Sequence, residues 1–314
     1  MQRVYTTDIK ALDPIHDNRH KLGSGPLARE SLAYLLQLPE EGVAGIVYTW
    51  VNGEGRAGCA VTLFGPGIGP EPLIESFDGI AVAAEMDFFD WRVAGLQLRL
   101  GTLLETAHIR YQSDKFEIDF HFTASQPAYA YSSHNGGCPQ WIAHDRFEQQ
   151  GTQSGLIRFA GKEIALRGYT QRDHSWGTRD WGVNQHWKWI HAQAGPELSV
   201  HFWKLESMGQ TLIRGYVDKN GHIAQVVDVD IDFEMNDDMT TRVVNADIVD
   251  TAGRSTRFQG VPFATFYLSP DPMITLFESP ISAFIDGQPG GGCCEVMWTN
   301  SLINYVKAKA EVVK

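Results

Sequence analysis

The hydrophobic pattern of this chain is written mostly in short runs closed by turn residues. The runs AGIVYTWV (44–51), AGCAVTLF (57–64) and GIAVAAEMDFF (79–89) are separated by Gly and Pro, which predicts strands. Over 115–122 the alternation is strict. Phe116, Ile118, Phe120 and Phe122 face one way, and Glu117, Asp119 and His121 the other. SGLIRFA and EIALRG flank Gly161-Lys162 as a hairpin. The same style returns after residue 183. WKWIHAQ (187–193) and LSVHFWK (198–204) are divided by Gly195-Pro196, and LIRGYVD and HIAQVVDV flank Asn220-Gly221, a strong hairpin signal. Further strands are predicted over 242–249, 263–268, 273–278 and 292–297.

Two segments read as helix. PLARESLAYLLQL (26–38) has Pro26 in its first turn, a roughly helical apolar spacing and Pro39 to end it. The tail NSLINYVKAKAEVVK has Asn300 or Ser301 as its cap. Many short strands with closely spaced turns give an all-β class: two barrels or sandwiches side by side, with short helices near the N-terminus and at the C-terminus. The strand blocks span about 40–168 and 183–298, so the domains are expected at 1–168 and 169–314.

Composition changes this picture little. The 314 residues are 43% hydrophobic and 20% charged, enough to bury a sizeable core. The net charge of -12 argues against nucleic acid or an anionic membrane surface as partner, since each needs a basic face. No stretch reaches the length of a membrane-spanning helix, and the N-terminus lacks the apolar region of a secretory leader. Cys59, Cys138, Cys293 and Cys294 show no C-x-x-C spacing and read as reduced thiols of a cytoplasmic protein. A homodimer is compatible with all of this.

The chemistry concentrates in Arg172-Asp173-His174-Ser175-Trp176-Gly177-Thr178-Arg179-Asp180-Trp181-Gly182. Surface segments rarely hold so much Trp, and cores rarely hold so much charge. A paired polar network in an aromatic setting is expected there, as a structural clasp or as a chemical site. Asp173 reads in two ways. It either pairs with Arg172 or Arg179 and clasps the two modules, or stays protonated beside apolar walls and acts as an acid. His174 is likewise a structural histidine or a base.

This run, together with His144-Asp145-Arg146-Phe147-Glu148-Gln149, Gly151 and the hairpin at Gly161, resembles the two-domain lipocalin-like family of AttH-type proteins and carotenoid 1,2-hydratases (hydroxyneurosporene synthases). It is most similar to a bacterial branch whose "RDHSWG-x-R" signature opens the C-terminal barrel. Glu295, after Gly292-Cys293-Cys294, resembles the Glu-bearing last strand of that branch. The resemblance implies two β-barrels with an apolar ligand cavity in or between them. It also implies cofactor-free chemistry on terpenoid or polyene substrates, by hydration of double bonds or by templated cyclisations that include Diels–Alder reactions.

Protonating an unactivated alkene takes a carboxylic acid that retains its proton, and the resulting cation needs aromatic faces. Asp173 is the candidate acid, His174 the base or orienter, and Trp176, Trp187 and Trp189 the walls. A pericyclic reaction needs only shape and one or two hydrogen-bond donors, for which Arg179, His191 or Tyr131 would serve. On strands, Trp187, Trp189 and His191 share one face, and His201 and Trp203 share a face of the next; core packing explains this as well as a cavity does. Glu295 is an inward carboxylate or a partner for a signature Arg. The expected function is therefore a hydro-lyase or isomerase (cyclase) acting without a cofactor on an apolar small molecule. The competing reading is a lipid or terpenoid carrier. No metal is expected: no histidine pair is read as H-x-x-x-H or H-E-x-x-H, and His186 and His191 have no adjacent third ligand. Gly65-Pro66-Gly67-Ile68-Gly69 reads as a turn rather than a nucleotide loop, and no G-x-S-x-G elbow occurs.

Overall fold

The computed structural model describes residues 5–313. It divides into two compact units, one of Lys10–Arg179, the other of Asp180 onward with the segment through Ile9. Each is built on its own sheet, antiparallel except where Thr6–Thr7 joins the second one in parallel, and the one α-helix among the described residues is Asn300–Val313 at the C-terminal end. The all-β class expected from the turn spacing is the observed one.

In the first unit the sheet runs through Leu73–Ala81, Arg56–Phe64, Val43–Asn52, Ala28–Leu38, Tyr169–Thr178, Asp145–Phe159, Phe116–Ala124, Thr106–Gln112, Leu96–Leu100 and Trp91–Val93. Every second residue of these strands points into a common core that includes Leu32, Tyr34, Leu36, Val61, Trp91, Ile109, Phe120 and Phe122. In the second unit His222–Met235, Gln210–Lys219, Leu198–Ser207, Asn184–Gln193, Gln288–Thr299, Ile274–Ile285, Ser255–Pro262 and Thr241–Asp250 pair in that order. The last pairs back onto the first, closing a barrel. Its interior is filled by Ile190, Val200, Phe202, Val217, Val244, Phe258, Phe277 and Val296, among others. The predicted hairpin at Asn220-Gly221 forms with φ of 55° and 80°, the left-handed pair that a two-residue turn requires.

Three expectations change. The segment 26–38 is not helical: Ala28–Leu38 is a strand paired with Val43–Asn52 and Tyr169–Thr178. It is buried on both faces, so its apolar residues run on without alternation and imitate a helix. The strand expected over 79–89 lies earlier, at Leu73–Ala81. Tyr169–Thr178, read as the opening of the second module, pairs with Ala28–Leu38 and Asp145–Phe159 and so belongs to the first unit, whose last residue is Arg179. Near the N-terminus the helical element is one 3₁₀ turn, Pro14–Asp17, capped by Asp13, whose Oδ1 accepts from the Ile15 N–H at 3.0 Å. Among the described residues no helix is long and apolar enough to cross a membrane.

Candidate active site at the mouth of the N-terminal barrel

Strand Tyr169–Thr178 carries the signature between two neighbours, and strand geometry sorts its side chains onto two faces. Arg172, His174 and Trp176 share the face of Tyr34, Leu32 and Glu30, their cross-strand partners, and of the unit's core. Gln171, Asp173 and Ser175 take the opposite face.

On the inner face, Arg172 is 1% exposed and makes a two-pronged ion pair with Asp17, at 2.8 and 3.1 Å. Its Nε–H donates to Gln149 Oε1 at 2.9 Å, and its plane lies over Phe122 and Phe147. Asp17 also accepts from the Leu104 N–H at 2.5 Å. This pair fastens the 3₁₀ turn to the barrel, and the turn brings His16 and His20 against the signature.

Glu30, with no exposed surface, is the hub of the second inner network. Its Oε1 lies 2.7 Å from His20 Nδ1 and 2.8 Å from His174 Nε2, and the His20 backbone N–H donates to both its oxygens. Burial raises the Glu30 pKa, but the hydrogen bonds from His174 and His20 outweigh it and hold the carboxyl below its ordinary value. An ionised carboxylate only accepts, so both imidazole nitrogens facing it carry protons. The other nitrogen of His20, Nε2, lies 2.9 Å from His16 Nδ1. Trp176 stacks on His20 with centroids 3.9 Å apart and on His16 at 5.3 Å. His174 is boxed edge-on by Phe88, Phe147 and Trp176, and its Nδ1 is buried with no hydrogen-bond partner.

The His16–His20–Trp176 stack lines a cavity of about 830 Å³, with Leu22, Leu27 and Asp145 also on its wall. That volume lies within the range of about 300–1,000 Å³ typical of small-molecule sites, and barrel mouths are common places for them. Of the residues proposed from sequence, Trp176 lines this cavity and His174 stands behind it.

The outer face holds a different network. Asp173 pairs with Arg146 at 3.2 Å and also acts electrostatically on Arg179, whereas Arg172 takes Asp17 on the other face. Arg146 also donates to Glu148 at 2.5 Å; Glu148 further accepts from Tyr131 at 3.2 Å and Gln171 at 2.9 Å. Asp173 thus faces a guanidinium where apolar walls were one of the two expectations. It is also on the other side of the sheet from His174, so the two do not form an acid–base pair. The Tyr131 hydroxyl is engaged by Glu148, and Arg179 donates to Ser175 Oγ at 2.5 Å. Burial lowers the Arg179 pKa.

In the second unit the register pairs His191 with His201 and Trp189 with Trp203, as the shared-face reading requires. Trp187 is on the same face, and its indole N–H donates to Glu295. That face is opposite the one filled by Ile190, Ala192, Val200 and Phe202, so these residues do not line the barrel interior. They are buried nonetheless. His191 is 1% exposed, neither of its ring nitrogens has a hydrogen-bond partner, and burial lowers its pKa to about 3. Glu295, expected as an inward carboxylate or as a partner for a signature arginine, accepts from the Trp187 indole.

Two groups of described residues bring three metal-capable atoms within 4.8 Å of one another: His20, Glu30 and His174 at the cavity, and His108, Asp119 and His121 elsewhere on the first unit. Sequence reasoning missed Glu30, His20 and His16. The available signals were the His16-x-x-x-His20 spacing and a Glu inside an otherwise apolar run.

The fold is similar to that of a protein assigned as AttH from Nitrosomonas europaea, with a TM-score of 0.66 and 16% identity over 94% of this chain and 98% of that one. It is also similar to CghA, at 0.63 and 12% over 88% and 89%, and to CghA with Sch210972, at 0.62 and 12% over 87% and 89%. At such identities the likeness concerns the fold alone. No curated protein matches the chain in sequence. The model of the family described as "Domain of unknown function (DUF7064)" matches residues 13–300, a span that takes in the 3₁₀ turn, the signature strand and both sheets, and the chain belongs to that family.

Proposed function

We propose that this protein binds an apolar small molecule at the mouth of the N-terminal barrel and moves a proton on it without a cofactor. The observation that carries this reading is the hydrogen-bonded chain Glu30–His20–His16 opening on the cavity. Glu30 fixes His20 with Nδ1 protonated, which leaves Nε2 as the basic atom toward His16. His16, half-buried on the cavity wall, exchanges the proton with the bound molecule, and the buried carboxylate stabilises the imidazolium that forms. Trp176, which lines the cavity beside both rings, offers an aromatic wall for a developing cation or a flat unsaturated guest, worth about 0.5–2 kcal/mol.

This is the chemistry of isomerisation, dehydration or hydration, and it fits an isoprenoid, polyene or polyketide-like substrate. CghA, similar in fold, has been solved with the compound Sch210972, which supports a ligand-binding role for this architecture. In this reading Asp173 is a structural carboxylate.

The test pairs binding with turnover. The purified protein is incubated with a panel of polyenes, isoprenoids and polyketide-like compounds, and products are followed by mass. The expected result is a chemically altered guest with wild type, and a retained but unaltered guest with His20→Asn. Turnover unchanged in a folded His20→Asn variant overturns the proton-transfer role. Ligands released unaltered by wild type point to the carrier reading.

A further inference from the structure

We propose that His108, His121 and Asp119 form a zinc-type divalent metal site on the outer face of the N-terminal barrel, away from the cavity. His108 and His121 are directly opposite one another on the adjacent strands Thr106–Gln112 and Phe116–Ala124, and the interior face of these strands is taken by Ile109, Tyr111, Ile118 and Phe120. Directly paired residues of an antiparallel sheet hold their Cβ atoms about 4.5–5.5 Å apart, the span two imidazoles need to share one ion. Here the rings stack with centroids 4.0 Å apart, so the two exposed side chains bring their nitrogens onto one ion by turning about their side-chain bonds. Both aim Nε2 at the same oxygen: Asp119 Oδ1 lies 2.7 Å from His108 and 3.5 Å from His121. The other carboxylate oxygen, Oδ2, is turned to Arg110 at 3.6 Å, which orients the group and leaves Oδ1 for the ion.

Two imidazoles and a carboxylate suit zinc, copper or nickel rather than the oxygen-seeking magnesium or calcium. Three protein ligands leave a fourth tetrahedral position for water.

The cavity cluster is the poorer metal site. If His174 bound an ion through Nε2, its Nδ1–H would be a buried donor without an acceptor, because that atom has no partner. The Nδ1 atoms of His108 and His121 belong to side chains 34% and 51% exposed, where water serves.

The experiment is calorimetric titration of the full chain with zinc chloride, repeated with magnesium and with cobalt(II), whose visible absorption reports tetrahedral nitrogen–oxygen ligation. The expected result is saturable zinc binding that magnesium does not displace, a rise in melting temperature, and affinity weakened about tenfold or more by His121→Gln or His108→Gln. His20→Gln should leave that binding unchanged, which separates this site from the cavity cluster. His108 and His121 are half-exposed, so their variants fold, as circular dichroism will verify for all three. Absence of saturable binding, or an affinity the same in His108→Gln and His121→Gln as in wild type, overturns the proposal.

Discussion

Glu30 and His174 are 144 residues apart in sequence and meet across two adjacent strands, with 2.8 Å between Oε1 and Nε2 and neither side chain exposed. A buried carboxylate is costly unless its lone pairs are filled, and here two imidazoles and a backbone N–H fill them. Glu30→Gln keeps the shape but removes the charge those donors were arranged for. It should lower stability by about 1.5–3 kcal/mol, as expected for hydrogen bonds to an ionised group. The Glu30 carboxyl titrates lower in the folded protein than in the unfolded chain, so its contribution is complete above the unfolded carboxyl value. It is lost as pH falls through the folded value. Denaturant unfolding at neutral pH and again near pH 4 should show the wild-type advantage over Glu30→Gln shrinking on acidification. An advantage that grows instead would refute the assignment.

Arg172 and Asp17 fasten the 3₁₀ turn from within the core. Breaking such a pair on one side leaves an uncompensated buried charge and costs about 3–5 kcal/mol. Arg172→Met alone and Asp17→Leu alone should each be severely destabilised, and the double variant should recover a large part of the loss. A double-mutant cycle by denaturant unfolding measures this, and strict additivity of the two losses would contradict the pairing.

His191 gives a pH signature in the second unit. Its folded pKa of about 3 lies below the unfolded histidine value near 6.5, so the unfolded chain binds the extra proton first. Its contribution is therefore complete above pH ~6.5 and falls by roughly 1.4 kcal/mol per pH unit on the way to the folded value. His191→Leu keeps the side chain apolar and should flatten the stability profile between pH ~6 and ~4. A variant whose profile over that range is as steep as wild type would rule His191 out as its source.

The strands were readable where one face meets the core and the other meets water. Phe116–Ala124 alternates in sequence because it alternates in space. Ala28–Leu38 hid because both of its faces are buried, and periodicity then carries no information about strand or helix. The site was half legible for a related reason. Density of Trp and charge pointed to His174 and Trp176, but a strand sends neighbours to opposite faces, so Asp173 could not join them. Their actual partners, Glu30, His20 and His16, come from a distant segment. The pairing of Ala28–Leu38 with Tyr169–Thr178 brings Glu30 within reach, and the 3₁₀ turn held by Arg172 and Asp17 brings His16 and His20.

The central claim is that the inner face of the signature strand, and not the outer, holds the guest. Native mass spectrometry with a compound found to bind wild type tests it through three folded variants: Trp176→Ala, His20→Asn and Asp173→Asn. Trp176→Ala should lose the complex, His20→Asn should keep it with the guest unaltered, and Asp173→Asn should bind and turn over like wild type, because Arg146 still has Glu148. Loss of binding in Asp173→Asn, with Trp176→Ala unaffected, would place the guest on the other side of the sheet and contradict this account.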